Sequence, residues 1–254
     1  AIPVPTSPEK RFLPDIEDWE QALTKKTKAL VINYPSNPTG AAASRDHLQQ
    51  LLEFARENDV WVVSDEVYDN IYFGEKPATV SEFSSGKDRV ILVNSLSKTF
   101  AMTGWRVGYI AAPKPLIENA LKASQNSITC VAPFIQKAAA FAFTDEAVQK
   151  EALKIRADYS RRRDLVISIH DEYGSSRVNL IPPMGAFYFF LDLRSLKMPS
   201  IEICRKILEE AGVGLVPGTA FGTQGEGFVR MTIAASNADV EEGFRAIMDW
   251  AERQ

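Results

Sequence analysis

Short apolar runs that end in polar residues recur through the first half of this chain and restrict its fold more than any other feature. The runs cover residues 29–33, 60–63, 89–93 and 106–111. A segment with apolar residues at three- and four-residue spacing separates the first two runs, which predicts a helix there with Ser44 as its N-cap. Strands of this length, linked by a helix, indicate a largely parallel sheet that is covered on both faces.

Polar residues follow three of these runs directly. Asn37 lies in a proline-rich turn after the first run, Asp65 follows the second, and the sequence Ser-Leu-Ser-Lys at 95–98 follows the third. Ligands of open α/β sheets bind outside the carboxyl ends of the strands. We therefore expect Asn37, Asp65 and residues 95–98 to converge on one crevice.

The second half of the chain has a different pattern. Helices are predicted at 115–126, 133–143, 145–173, 201–211 and 239–253, and short strands at 185–191, 214–217 and 228–233. This order indicates an α+β module. We predict a large domain over residues 1–145 and a smaller C-terminal α+β domain over residues 146–254.

Composition and charge exclude several classes of protein. Hydrophobic residues make up 45% of the chain, which is too many for a fibrous or disordered protein. With 29 basic and 33 acidic residues the net charge is −4, so we expect no nucleic acid partner and no membrane contact. Cys130 and Cys204 are far apart and lack metal-ligand spacing, so we expect no metal, no disulfide framework and a cytoplasmic location.

The stretch from Ser95 to Tyr109 is the most specific part of the sequence. Lys98 follows a buried strand, stands among hydroxyl residues, and precedes Arg106, which lies between apolar neighbours. Taken alone, Lys98 fits a surface lysine as well as it fits a reactive amine, and Arg106 then fits one member of a structural ion pair. The surrounding motifs decide between these interpretations.

Four motifs in order resemble the class I and II aminotransferases, which are fold-type-I enzymes that use pyridoxal 5'-phosphate. They are Asn37-Pro38-Thr39-Gly40, Ser64-Asp65-Glu66-Val67-Tyr68, the stretch from Ser95 to Tyr109, and Gly227-Phe228-Val229-Arg230-Met231-Thr232. The resemblance covers essentially the whole chain. It implies the α/β fold of the aspartate aminotransferase type, with an incomplete, mostly parallel large domain and a smaller α+β domain.

The resemblance implies three catalytic residues. Lys98 would form the Schiff base with the cofactor aldehyde and later carry a proton from the substrate α-carbon. Asp65 would hold the pyridine nitrogen protonated, although a carboxylate after a strand is also a common helix N-cap. Tyr68 would donate to the cofactor O3' from one helical turn beyond Asp65, although taken alone it fits a half-buried aromatic residue.

The remaining candidates would bind the cofactor or the substrate. By resemblance, Asn37 contacts the cofactor O3' and the substrate, from a peptide with Pro38 that is often cis in the family. Ser95 and Arg106 resemble phosphate ligands. Arg230 matches the arginine that grips the substrate α-carboxylate, whereas an isolated strand arginine is more often part of a surface ion pair.

The family resemblance predicts a reaction of the EC 2.6.1 type, in which an amino group moves between an L-amino acid and a 2-oxo acid. The same residues would serve a β-eliminating carbon-sulfur lyase, and a non-enzymatic remnant or an impaired fragment of a larger enzyme remains open. Family members carry an N-terminal segment before the point that matches Ala1, and we expect weak or absent activity without it. The family also leads us to expect a homodimer, with the region from Gln125 to Pro133 near the neighbouring site.

Overall fold

The computed structural model describes residues 1–83 and 87–254. Their contacts divide the chain into two compact units. Unit 1 comprises Ala1–Val4, Asp15–Pro35 and Ala42–Arg156, and unit 2 comprises Pro5–Pro14, Ser36–Ala41 and Ala157–Gln254. Two short segments of the first half therefore belong to unit 2. The domain division at residue 145 stays a prediction.

Unit 1 contains a four-stranded sheet of β1 (Ala29–Asn33), β2 (Trp61–Asp65), β3 (Val90–Ser95) and β4 (Gly108–Ala111). The strands lie in the order β1-β2-β3-β4, and the first three are parallel while β4 is antiparallel to β3. The largely parallel sheet that the apolar runs predict is therefore confirmed. Its carboxyl edge is formed by the last residues of β1, β2 and β3.

Unit 1 also contains α-helices, and those at 45–57, 114–127 and 133–144 lie where the sequence predicts them. The helices are α1 (Ile16–Ala22), α2 (Arg45–Glu57), α3 (Leu96–Thr99), α4 (Lys114–Ser127) and α5 (Pro133–Thr144). The predicted cap is confirmed, because the Ser44 side chain accepts a hydrogen bond from the backbone of His47. Leu48, Leu51 and Leu52 on α2 are buried, as their spacing predicts.

Helix α6 (Glu146–Tyr173) begins in unit 1 and continues into unit 2. Unit 2 also holds a three-stranded antiparallel sheet in the order β5-β7-β6, formed by β5 (Tyr188–Asp192), β6 (Val216–Pro217) and β7 (Phe228–Thr232). Helices α7 (Ser200–Ala211) and α8 (Asn237–Glu252) complete it. Every residue of β5 is buried, and this strand pairs with β7, which carries Arg230.

The described helices include none that combines the length and apolarity needed to span a lipid bilayer.

Candidate active site

The first group of candidate residues lies in unit 1, at the carboxyl ends of neighbouring parallel strands. Asp65 is the last residue of β2 and Ser95 is the last residue of β3. Tyr68, Lys98 and Arg106 follow these strand ends along the chain. We call these five residues the lysine cluster: Asp65, Tyr68, Ser95, Lys98 and Arg106.

A tight turn after β2 presents Asp65 and Tyr68. The Asp65 carboxylate accepts the backbone N–H of Val67 at 3.1 Å, and the Asp65 carbonyl accepts the side-chain amide of Asn33 at 3.1 Å. No helix follows, so the predicted helical turn between Asp65 and Tyr68 is wrong. Residues 67–70 form a turn in which the backbone N–H of Ile71 bonds to the carbonyl of Tyr68. Asp65 is half-buried and Tyr68 is buried, so this turn holds both side chains against the sheet edge.

Ser95 joins β3 to the short helix that carries Lys98. Its hydroxyl accepts the backbone N–H of Ser97 at 3.1 Å and lies 3.0 Å from the carbonyl oxygen of Val107, to which it donates. The first contact caps α3, and the second ties this cap to the segment that leads into β4. The chain therefore turns at Ser95 with a fixed side chain.

Lys98 lies in the short helix α3. Leu96 and Thr99 are buried, whereas Lys98 is half-buried. The Lys98 Nζ atom lies 5.8 Å from the centroid of the Tyr68 ring, which is within the range of a cation–π contact. The structure therefore brings together the amine and the phenol that the resemblance assigns to one site.

Arg106 occupies a backbone conformation that L-residues rarely adopt. Its φ is 52° and its ψ is 48°, in the left-handed region, and such a conformation costs a non-glycine residue about 1 kcal/mol. The guanidinium is exposed, and its Nη1 donates to the carbonyl of Thr103 at 2.9 Å. Unfavourable backbone geometry at a specific arginine is typical of a functional residue.

A buried carboxylate anchors the turn that carries Asp65 and Tyr68. Glu66 is 4% exposed and accepts hydrogen bonds from the Ser64 hydroxyl at 3.0 Å, the Val80 backbone at 2.9 Å and the Thr79 hydroxyl. Burial raises the pKa of Glu66, and these three donors act in the opposite direction. The turn is thus joined to the 79–80 segment through one side chain.

We expect Glu66→Ala to lower the free energy of unfolding by about 2–4 kcal/mol, because it leaves three donors without their acceptor. Glu66→Gln keeps one acceptor oxygen and should cost less. The measurement is urea unfolding followed by tryptophan fluorescence. Glu57→Ala, at an exposed position of α2, is the matched control and should have almost no effect. Equal stability of Glu66→Ala and Glu57→Ala would contradict the anchoring role.

The second group of candidates lies in unit 2 around Arg230 of β7. The Arg230 guanidinium carbon lies 4.5 Å from the ring centroid of Tyr188 and 4.9 Å from that of Phe221. Its Nη1 donates to the Asn37 side-chain oxygen at 2.9 Å. Its Nε is buried and has no hydrogen-bond partner among the described residues. We call Asn37, Tyr188, Phe221 and Arg230 the arginine cluster.

Asn37 reaches Arg230 because its segment is fixed to unit 2 by Gly40. The carbonyl of Gly40 accepts the backbone N–H groups of Met184 at 2.8 Å and Gly185 at 3.1 Å. Gly40 has a φ of 68°, and a Cβ there would lie 2.3 Å from the Cβ of Pro183, so only glycine fits. The Asn37–Pro38 peptide is cis, as the resemblance implies.

The structure therefore groups the predicted residues in two sets, each within its own unit. Asp65, Tyr68, Ser95 and Lys98 share one sheet edge, and Asn37 meets Arg230. The predicted convergence of Asn37 with the first set stays a prediction. Sequence reasoning missed the anchor Glu66 and the rings that flank Arg230. A signal for Glu66 was present, since a second acidic residue directly after Asp65 and a buried strand needs partners.

Comparison with known proteins identifies the family. A sequence model described as aminotransferase class I and II matches residues 1–247. The chain belongs to this family. It is 42% identical over 242 residues to an aspartate aminotransferase of Pyrococcus abyssi and 40% identical over 242 residues to aromatic-amino-acid aminotransferase 2 of Thermococcus litoralis; each alignment covers 95% of this chain and 61% of the relative.

Solved structures agree with this assignment. The aromatic aminotransferase of Pyrococcus horikoshii superposes with a TM-score of 0.94 at 38% identity, covering 98% of this chain and 66% of that one. An aspartate aminotransferase of Thermus thermophilus with maleate has a TM-score of 0.90 at 34% identity, over 97% of this chain and 63% of that one. The predicted family and fold are therefore confirmed. The chain spans about three fifths of the length of the relatives that it matches.

Proposed function

We propose that this chain acts in a pyridoxal-phosphate-dependent aminotransferase, which moves an amino group between an L-amino acid and a 2-oxo acid. The observation that carries the proposal is the position of the Lys98 amine, 5.8 Å from the ring centroid of Tyr68 at the sheet edge that ends in Asp65 and Ser95. Family membership supports the same reaction class, since the relatives compared above are named aminotransferases.

The chemistry of the lysine cluster fits pyridoxal phosphate. When bound, this cofactor supplies an aldehyde that condenses with amines and a ring that accepts electrons from the substrate α-carbon. Lys98 offers the amine, Asp65 the carboxylate for the pyridine nitrogen, and Tyr68 the phenol for O3'. Ser95 and Arg106 offer a hydroxyl and a guanidinium for the phosphate. Asn37 is proposed as a further O3' contact.

Lys98 has a second task in the proposed reaction. Its Nζ removes the proton from the substrate α-carbon and delivers a proton during product formation. Half-burial suits this work, because it leaves part of the Lys98 side chain accessible to a substrate.

Arg230 is the proposed ligand of the substrate α-carboxylate. A guanidinium binds a carboxylate with two parallel hydrogen bonds, and the buried, unpartnered Nε shows that this side chain has donor capacity not used by the described residues. The Tyr188 and Phe221 rings and the Asn37 oxygen limit the orientations of the guanidinium. Asn37 is proposed to contact the substrate beside it.

Two finer assignments belong to this proposal. We expect a homodimer, and large apolar side chains around the α4–α5 connection support self-association, since Ile128 is 65% and Phe134 is 69% exposed. We also expect a cytoplasmic location. Cys130 and Cys204 are both free, which is usual in a reducing compartment.

A single-turnover reaction tests the function. The chain is loaded with pyridoxal phosphate, freed of excess cofactor, and mixed with aspartate or phenylalanine as the only substrate. We expect up to one 2-oxo acid per loaded chain and no ammonia, because an aminotransferase retains the amino group on the cofactor. Adding 2-oxoglutarate should then release glutamate. Release of ammonia with pyruvate from a sulfur amino acid would instead identify a lyase. A chain that forms no covalent adduct with pyridoxal phosphate at Lys98 would contradict the proposal.

A further inference from the structure

A hydrogen bond between the buried Asn94 and the half-buried Asp69 connects the two motifs of the lysine cluster. Asn94 is 6% exposed, and its Nδ2 donates to Asp69 Oδ2 at 2.9 Å. Asp69 follows Tyr68 directly and Asn94 precedes Ser95 directly. The pair therefore joins the turn of Tyr68 to the end of β3, across 25 residues of sequence.

The other end of the Asn94 amide is fixed to Ser95. Asn94 Oδ1 accepts the backbone N–H of Ser95 at 2.7 Å. A primary amide whose oxygen and nitrogen are both engaged cannot rotate without breaking a bond. Asp69 therefore determines which way the Asn94 amide points, and that direction determines how the Ser95 backbone is held.

The turn that carries Tyr68 has anchors other than the hydrogen bond between Asp69 and Asn94. Three donors already anchor Glu66, and the backbone N–H of Asp69 bonds to the carbonyl of Glu66 at 2.9 Å. The second Asp69 oxygen, Oδ1, accepts the Asn70 side chain at 2.9 Å. Loss of the Asp69 carboxylate should thus free the Asn94 amide and weaken its bond to the Ser95 backbone N–H, while leaving the turn in place.

We infer that Asp69, acting through Asn94, is a positioning residue that holds Ser95 for binding the cofactor phosphate. The inference rests on the proposed function, because Ser95 is a phosphate ligand only if pyridoxal phosphate binds at the lysine cluster. Burial raises the pKa of the Asp69 carboxyl, and the two amide donors oppose that change. The side-chain amides of Asn94 and Asn70 each donate to one oxygen of this carboxylate.

The test compares two aldehydes that differ only in the phosphate. Dissociation constants for pyridoxal phosphate and for pyridoxal are measured by absorbance titration of the whole chain. We expect Asp69→Ala to weaken pyridoxal phosphate binding roughly tenfold, as the loss of a hydrogen bond to a charged group does, and to leave pyridoxal binding within about twofold. Asp69→Asn keeps one acceptor oxygen and should restore most of the affinity. Asn70→Ala, which removes the other bond to the same carboxylate, is the control and should bind both aldehydes as the unmodified chain does.

Each outcome decides the inference. Equal weakening toward both aldehydes would indicate a general structural defect and overturn it, and so would unchanged binding of both. If the unmodified chain binds neither aldehyde, the proposed function fails, but the inference about Asp69 can still be tested. The measurement is then backbone hydrogen exchange of the peptide 94–99 in the variants without cofactor. Faster exchange in Asp69→Ala than in Asn70→Ala supports the restraint on Ser95, and identical exchange overturns it.

Discussion

Replacing Lys98 by alanine is expected to abolish covalent binding of pyridoxal phosphate and to slow the half-reaction with an amino acid by roughly 10²–10⁴-fold. The amine is the group that condenses with the aldehyde, and it is also the proposed proton carrier at the substrate α-carbon. The visible absorption band of the lysine-bound cofactor should therefore disappear. After borohydride reduction, mass spectrometry of peptides should find the cofactor on Lys98 in the unmodified chain and on no residue of the variant.

Two further variants separate the chemistry of Lys98 from its charge. Lys98→Arg keeps a cation at the sheet edge but offers a guanidinium that does not condense with aldehydes, so it should behave like the alanine variant. Lys122→Ala changes an exposed lysine of α4 and should keep the absorption band. A small added amine such as methylamine should restore part of the half-reaction in Lys98→Ala. A band that persists in Lys98→Ala, or that is lost in Lys122→Ala, would assign the chemistry to another residue.

The parts of the fold that the sequence predicts are those with local causes. The run at 29–33 and the cap at Ser44 depend on residues a few positions apart, and both are found as predicted. Asp65 and Lys98 could be proposed because the motifs around them resemble the aminotransferase family, since a carboxylate and an amine after strands also have common structural uses. Tyr68 is buried rather than half-buried, and the helix predicted after Asp65 is absent, because the tertiary anchor at Glu66 outweighs local helical preference.

The parts that the sequence could not predict are contacts between distant residues. Asn94 meets Asp69 across 25 positions, and Asn37 meets Arg230 across 193. No local period encodes such pairs, since they arise only once strands align and the segment 36–41 joins unit 2. The positioning residues of a site are thus harder to read from one sequence than its reactive groups.

Replacing Arg230 by leucine is expected to raise the amino acid concentration for half-maximal single-turnover rate by roughly 100-fold, because two charge-assisted hydrogen bonds to the α-carboxylate are lost. Arg230→Lys restores the charge without the planar fork, so its half-saturating concentration should rise by about tenfold. The limiting rate at saturation should change less than the half-saturating concentration, since Lys98 carries the proton transfer. Binding of pyridoxal phosphate should be unchanged in both variants.

A substrate pair identifies the lost contact directly. Phenethylamine is phenylalanine without its carboxylate, so the unmodified chain should prefer phenylalanine strongly, and Arg230→Leu should lose most of that preference. The matched control is Arg205→Leu on α7, where the arginine is exposed and pairs with Glu202 and Glu209. This control should keep the full preference for the amino acid. If Arg230→Leu also kept it, the carboxylate would be bound elsewhere, and the flanking rings of Tyr188 and Phe221 would serve only to pack an arginine in unit 2.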